Sequence, residues 1–314
     1  MTAQGATAKP PRIAVLMSTY NGERYLREQL DSIRVQLDVE VQLFVRDDGS
    51  QDGTLAVLRE YADVWPQLAS MASGPNLGAA QSFMTLLRQA PDDFDYYAFA
   101  DQDDFWTPDK LARGVSLIEA SRGRGPALYC SRVACADESL KPLGELGVYR
   151  DPSFRHLVFE NIAYGCTIVM NPSLRRLVKD RPPQTGMAMH DWWCAIAAAA
   201  FGTVIYDPEP RILYRQHGAN EVGAQPNRFQ EISQRLKQLR RDPEAFYPIH
   251  AQCAEFLRLH GEALSPDKRH LLERVVKSKA SFGARLAFAL TAPVVRNRLT
   301  DNLAARGLFV LGWY

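Results

Sequence analysis

Three short apolar runs, residues 13–17, 41–45 and 96–100, each lead straight into a loop of hydroxyl-bearing or acidic residues. After the first loop Leu26, Leu30, Ile33 and Leu37 recur at helical spacing across 24–37, and after the second Leu55, Leu58 and Tyr61 do the same across 54–61. Further helical patterns cover 79–88 and 108–121, the latter with Pro108 near its first turn, where a fixed φ and a missing N–H do no harm. Strands alternating with helices predict a parallel sheet. In such sheets the ligand site lies beyond the carboxyl ends of the strands, so the loops after Met17, Val45 and Ala100 are expected to converge on one site.

The middle of the chain is less regular. Residues 127–135 and 165–170 read as strands, 190–201 as a buried helix, and 204–206 and 211–214 as late strands. From about residue 227 onward the pattern is helical, and 264–314 carries nine Lys and Arg against three Asp and Glu. Segments 282–290 and 303–313 mix Arg with Phe, Leu and Trp, as helices at a membrane interface do. The alternative is a helical cap packed on the core. A chain of 314 residues suits one large domain with an appendage, which places the division at 1–225 and 226–314.

Composition narrows the classes. With 46% hydrophobic and 23% charged residues the chain can bury a large core, and a net charge of +1 argues against nucleic acid as a partner. Five scattered cysteines show no zinc spacing and suit a reducing cytoplasm. The first eleven residues lack the apolar centre of a signal peptide, and the most apolar tract, 194–201, is far too short to cross a bilayer. The expectation is a cytoplasmic protein, with peripheral attachment to the inner face of the plasma membrane if the basic helices dock on an anionic surface.

The chemistry is concentrated in acids at strand ends. In Asp101-Gln102-Asp103-Asp104 three carboxylates follow an apolar strand, and a divalent cation such as Mg²⁺ or Mn²⁺ would offset the cost of burying them. Read alone, the same run also suits a solvated turn capping the next helix. Asp47-Asp48-Gly49-Ser50 repeats the arrangement at the second strand, where a carboxylate can accept from a base or sugar and glycine lets backbone approach a ligand. An ordinary turn has the same composition.

Taken in order, Met17-Ser18-Thr19-Tyr20-Asn21, Val45-Arg46-Asp47-Asp48-Gly49-Ser50, Asn76-Leu77-Gly78 and Asp101-Gln102-Asp103 resemble the family 2 glycosyltransferases, over roughly residues 13–223. That resemblance implies an inverting enzyme of the glycosyltransferase A type: α/β, with a Rossmann-like, mainly parallel sheet flanked by helices, here carrying a C-terminal helical extension. It implies that Ser18, Tyr20, Glu23 and Asn76 belong to the nucleotide-sugar pocket, that Asp48 hydrogen-bonds a pyrimidine, that Asp101 lies at sugar and ribose, and that Asp103 is the main metal ligand. Asp104 matches a less fixed position.

An inverting transfer needs a base on the face opposite the leaving diphosphate. Asp191, in Met189-His190-Asp191-Trp192-Trp193, matches the family's place for it, and its tryptophans are expected to desolvate the carboxylate and offer a stacking face for a sugar. Without the upstream motifs Asp191 reads as a helix N-cap. Gly165-Cys166-Thr167-Ile168-Val169-Met170-Asn171 and the stretch from Leu213 through His217 to Gly223 resemble bacterial rhamnosyltransferases, which implies L-rhamnose from dTDP-rhamnose as donor and makes His217 either a further metal ligand or a contact to the diphosphate, with Arg215 neutralising charge nearby. The expected partners are a nucleoside-diphosphate sugar and a glycan or lipid-linked acceptor in bacterial polysaccharide or glycolipid synthesis. The competing reading is an inactive sugar-nucleotide or glycan-binding module.

Overall fold

A computed structural model describes residues 9–121, 123, 125–146, 151–217 and 248–314. Its centre is a seven-stranded sheet in the order β10-β6-β9-β4-β1-β2-β3. The strands are β1 (Arg12–Thr19), β2 (Glu40–Asp47), β3 (Leu68–Ser73), β4 (Tyr96–Ala100), β6 (Ala127–Ser131), β9 (Val169–Met170) and β10 (Thr203–Asp207). All pair in parallel except β9, which runs antiparallel to both β4 and β6. Ile13, Val15 and Met17 of β1 face one core while Ala14 and Leu16 face the other, as period-two alternation requires of a strand covered on both sides.

One face carries α1 (Glu23–Arg34), α2 (Thr54–Val64) and α4 (Lys110–Ala120). The other carries α3 (Ala79–Gln89), α5 (Phe154–Phe159), α6 (Pro172–Asp180) and α7 (His190–Phe201). The stretch read as one strand over 127–135 is two: after β6 the chain turns into β7 (Val133–Ala136), which joins β5 (Phe105–Trp106), β8 (Pro142–Leu146) and β11 (Ile212–Arg215) in a second sheet ordered β5-β11-β7-β8. Likewise 165–170 is a 3-10 turn, Gly165–Thr167, followed by the short β9. The helix expected from Pro108 begins two residues later, at Lys110.

The C-terminal helices are α8 (Ile249–His260), α9 (Pro266–Ser278), α10 (Phe282–Thr291) and α11 (Leu299–Leu311). They share a core with α5 and α7: Phe256, Leu272, Phe288 and Phe309 belong to the same buried cluster as Leu157 and Trp193. The boundary at 225 and 226, and the Gly218 to Gly223 part of the rhamnosyltransferase-like stretch, lie outside the described residues. Among the described residues no helix is long and apolar enough to cross a membrane.

Candidate active site

Parallel pairing of β4, β1 and β2 puts their carboxyl ends side by side, and the three loops do converge. They open on a cavity of about 330 Å³ lined by Ser18, Tyr20, Asp48, Asn76, Asp101, Asp103 and Asp191, so seven of the nine expected site residues meet there. Two do not line it. Glu23 is turned away, its carboxylate accepting from the Gly53 N–H at 2.8 Å. His217 sits behind the wall, with Nε2 2.9 Å from Oδ2 of Asp103 and its ring 4.9 Å from that of Tyr25.

The two acids that end β2 behave differently. Asp47 organises its own loop, accepting from Gly49 N, Ser50 N and the Ser50 and Thr19 hydroxyls. Asp48 reaches forward: Leu77 N and Gly78 N donate to its oxygens at 2.8–3.0 Å, and the Arg46 guanidinium pairs with it from the same strand. Arg46 also donates to Ser82, which accepts from Ser18 at 2.6 Å. Gly78 supports this clasp with φ +75° and ψ 155°, a backbone state open almost only to glycine. Asp48 thus lines the cavity with both oxygens already engaged.

Behind Asp101 and Asp103 lie two buried titratable side chains, Asp104 and Lys110. Asp104 is fully enclosed and one of its oxygens, Oδ2, has no hydrogen-bond partner among the described residues. Burial, then Asp103 and Asp101, push its pKa well up. Lys110 stands close by with Nζ 3.4 Å from the Trp106 ring centroid and no hydrogen bond among the described residues, and burial pulls its pKa down to about 7. Ligand atoms of Asp101, Asp104 and Cys166 lie within 4.8 Å of one another, but burial drives the Cys166 thiol far from its anionic form. Arg215 does not reach the cavity; Nε donates to the Asp103 carbonyl at 2.8 Å and the guanidinium covers Tyr25 and pairs with Glu28, so it neutralises charge from behind.

Asp191 lies in the first turn of α7, not at its N-cap, which is Met189. Asn161 and Trp192 N donate to Oδ1 and Gly165 N donates to Oδ2 at 3.1 Å. Burial nevertheless outweighs these donors and raises the pKa to about 6. Trp192 and Trp193 are buried but do not line the cavity, so the expected stacking face is absent from it. Trp192 instead donates to the Leu157 carbonyl, and Trp193 packs on Phe256. The aromatic walls are Tyr20, Phe83, Tyr164 and Tyr214.

Residues 14–141 match the model of glycosyl transferase family 2. Over 217 residues the chain is 30% identical to the dTDP-rhamnosyl transferase RfbG of Shigella flexneri, covering 66% of this chain and 74% of that protein. The chain belongs to glycosyl transferase family 2. It is a glycosyltransferase, and its fold is of the glycosyltransferase A type. The transferase superposes on Staphylococcus aureus TarS in complex with UDP-GlcNAc with a TM-score of 0.58 at 16% identity, over 96% of this chain and 82% of that one. The mannosyltransferase PcManGT of Pyrobaculum calidifontis, in complex with GDP-Man and Mn²⁺, matches 98% of the transferase and 86% of its own chain, with a TM-score of 0.50 and 20% identity.

Proposed function

We propose that this glycosyltransferase moves a sugar from a nucleoside diphosphate to an acceptor hydroxyl with inversion, and that Asp191 is the base. One observation carries the reading: a carboxylate with its pKa raised to about 6 lines the same cavity as Asp48, Asp101 and Asp103. In the proposed reaction Asp191 takes the acceptor hydroxyl proton as that oxygen bonds to the anomeric carbon, and the bond from that carbon to the diphosphate oxygen breaks. The nucleoside diphosphate departs with the electron pair, and no covalent enzyme intermediate forms.

The carboxylates fit a hard divalent cation, Mg²⁺ or Mn²⁺, because oxygen ligands from Asp103 and Asp101 face the cavity and His217 adjoins Asp103. When bound, such an ion neutralises diphosphate charge. Ser18, Tyr20, Asn76 and Asp48 form the nucleotide side of the pocket in this reading. The 30% identity to a dTDP-rhamnosyl transferase favours dTDP-L-rhamnose as donor. Glu23 serves this pocket indirectly, by holding Gly53 at the end of the second loop. The test is a thermal-shift panel of UDP-, dTDP- and GDP-sugars with and without Mn²⁺. A donor that stabilises only with metal, and not in Asp103→Ala, supports the reading; no shift with any donor sinks it.

The acceptor side of the proposal is a lipid-linked glycan met at an anionic membrane surface. Its support is the outer face of α10 and α11, where Phe282, Leu286 and Leu290 and then Leu299, Leu303 and Leu311 stand exposed at multiples of four residues. Over 282–314 the sequence carries Arg285, Arg296, Arg298 and Arg306 against the single acid Asp301. Two adjoining apolar stripes set in basic surroundings suit helices lying in the headgroup plane.

A further inference from the structure

One side chain in the cavity has polar atoms that the reaction above leaves unused. His190 opens α7 with its ring stacked on Phe83 of α3, centroids 4.2 Å apart and planes at 19°, and edge-on to Phe99 of β4 at 4.8 Å. Both ring nitrogens are closed off from bulk water, and neither has a hydrogen-bond partner among the described residues. Burial pulls the pKa down to about 3, so the ring is neutral and offers one donor N–H and one acceptor nitrogen. Packing alone would be served better by Phe, since each unmatched polar atom carries its full desolvation cost.

The neighbourhood says what the ring waits for. Gly165 also lines the cavity, and the point its Cβ would occupy lies 3.0 Å from Nε2 of His190 and 3.6 Å from the Cβ of Asp191. An alanine side chain at 165 would thus press on the ring, and glycine keeps that side of Nε2, next to Asp191, free of a side chain. The two rings that hold His190 belong to the donor half of the cavity: α3 starts next to Gly78, whose N–H holds Asp48, and β4 runs into Asp101.

We propose that His190 is a sugar-recognition residue, its Nε2 hydrogen-bonding one hydroxyl of the donor hexose on the side that Gly165 leaves free of a side chain. The assignment rests on the glycosyl-transfer reading and adds to it the group that senses the sugar as distinct from the nucleotide. A pocket group that requires a hydroxyl partner discriminates strongly against ligands lacking it, because it is then left buried and unpaired.

The test compares nucleoside diphosphates with their sugar nucleotides, dTDP with dTDP-L-rhamnose and UDP with UDP-GlcNAc, all with Mn²⁺, on the wild type, His190→Phe, His190→Gln and Gly165→Ala. For a donor that stabilises the wild type more than its diphosphate does, His190→Phe keeps the diphosphate shift and loses the extra one, with donor Kd weakened roughly ten- to a hundredfold. Its melting temperature is no lower than that of the wild type, since the ring stack survives. Gly165→Ala, whose Cβ crowds Nε2, behaves like His190→Phe, and His190→Gln, whose amide restores a donor and an acceptor, regains part of the loss. A Phe variant that binds the sugar nucleotide as tightly as the wild type overturns the assignment. So does normal donor binding with a raised acceptor KM, which would give the hydrogen bond to the acceptor. So too does a wild type that binds diphosphates yet gains nothing from the sugar in either pair. A wild type shifted by none of the four ligands counts instead against the glycosyl-transfer reading, and this assignment falls with it.

Discussion

Nε2 of His217 lies 2.9 Å from Oδ2 of Asp103, joining the segment just after β11 to the acid run after β4 across 114 positions of sequence. On the proposed reading this pair holds the cation, Asp103 by direct ligation and His217 as ligand or orienting partner. Asp103→Ala is expected to abolish the Mn²⁺-dependent part of donor stabilisation. His217→Ala is expected to weaken Mn²⁺ affinity roughly 10–100-fold, measured by titrating metal at saturating donor. Equal Mn²⁺ affinity in both variants and the wild type would remove the pair from the metal site.

Asp191→Asn keeps the shape of the carboxylate and removes its basicity. Donor affinity, read by calorimetry, should stay within about twofold while transfer falls about 10²–10⁴-fold. Transfer at the wild-type rate would assign the proton to another group.

The pH profile follows from the direction of the Asp191 shift. A base acts only when deprotonated, and burial raises this one to about 6. Transfer per donor bound should therefore be low at pH 5, climb through pH 6 and level off above pH 7. Asn161 donates to Oδ1 and holds the value down, so Asn161→Ala should move the climb to higher pH. A profile flat from pH 5 to 7 would contradict the assignment.

These positions were legible to different degrees. The acids at 48, 101 and 103 could be found because they follow the ends of apolar strands, a pattern local enough to read from sequence, whereas Asp191 was reached through its match to the family's motif order. The β9 strand could not, since two residues antiparallel between β4 and β6 leave no periodicity. Lys110 was invisible for a related reason: on a helix it reads as a solvated cation, and only the fold shows it enclosed against Trp106. The tryptophans after Asp191 misled, because the first turn of α7 directs the carboxylate to Gly165 and Asn161 and sends Trp193 to the core. For His190 the available signal was its place beside the base, and its unpaired nitrogens appear only in three dimensions.

Gly78 tests the clasp on Asp48. An alanine Cβ there meets nothing within 4 Å, so its cost is backbone strain at φ +75°, about 1–3 kcal/mol. Because Gly78 N holds Asp48, the same change should also weaken nucleotide binding, whereas a substitution that only strained the backbone would lower the melting temperature and leave diphosphate affinity alone.

The outer stripes of α10 and α11 predict a separable defect. Leu290 and Leu303 are exposed, so Leu290→Glu with Leu303→Glu should fold normally and keep donor binding while losing flotation with anionic liposomes. Undiminished flotation would place the membrane contact elsewhere.

Trp193, two residues beyond Asp191, has its ring 5.2 Å from that of Phe256 on α8. The composition changes near residue 225, yet the hydrophobic interior runs on without a seam. The helical end of the chain is therefore a foundation under the proposed proton acceptor, and a chain shortened ahead of Ile249 would leave the floor of α7 open to water. Mutational drift in these helices would reach the chemistry through tilt of a single helix, so variation that looks peripheral in sequence can retune the rate of transfer without touching a ligand.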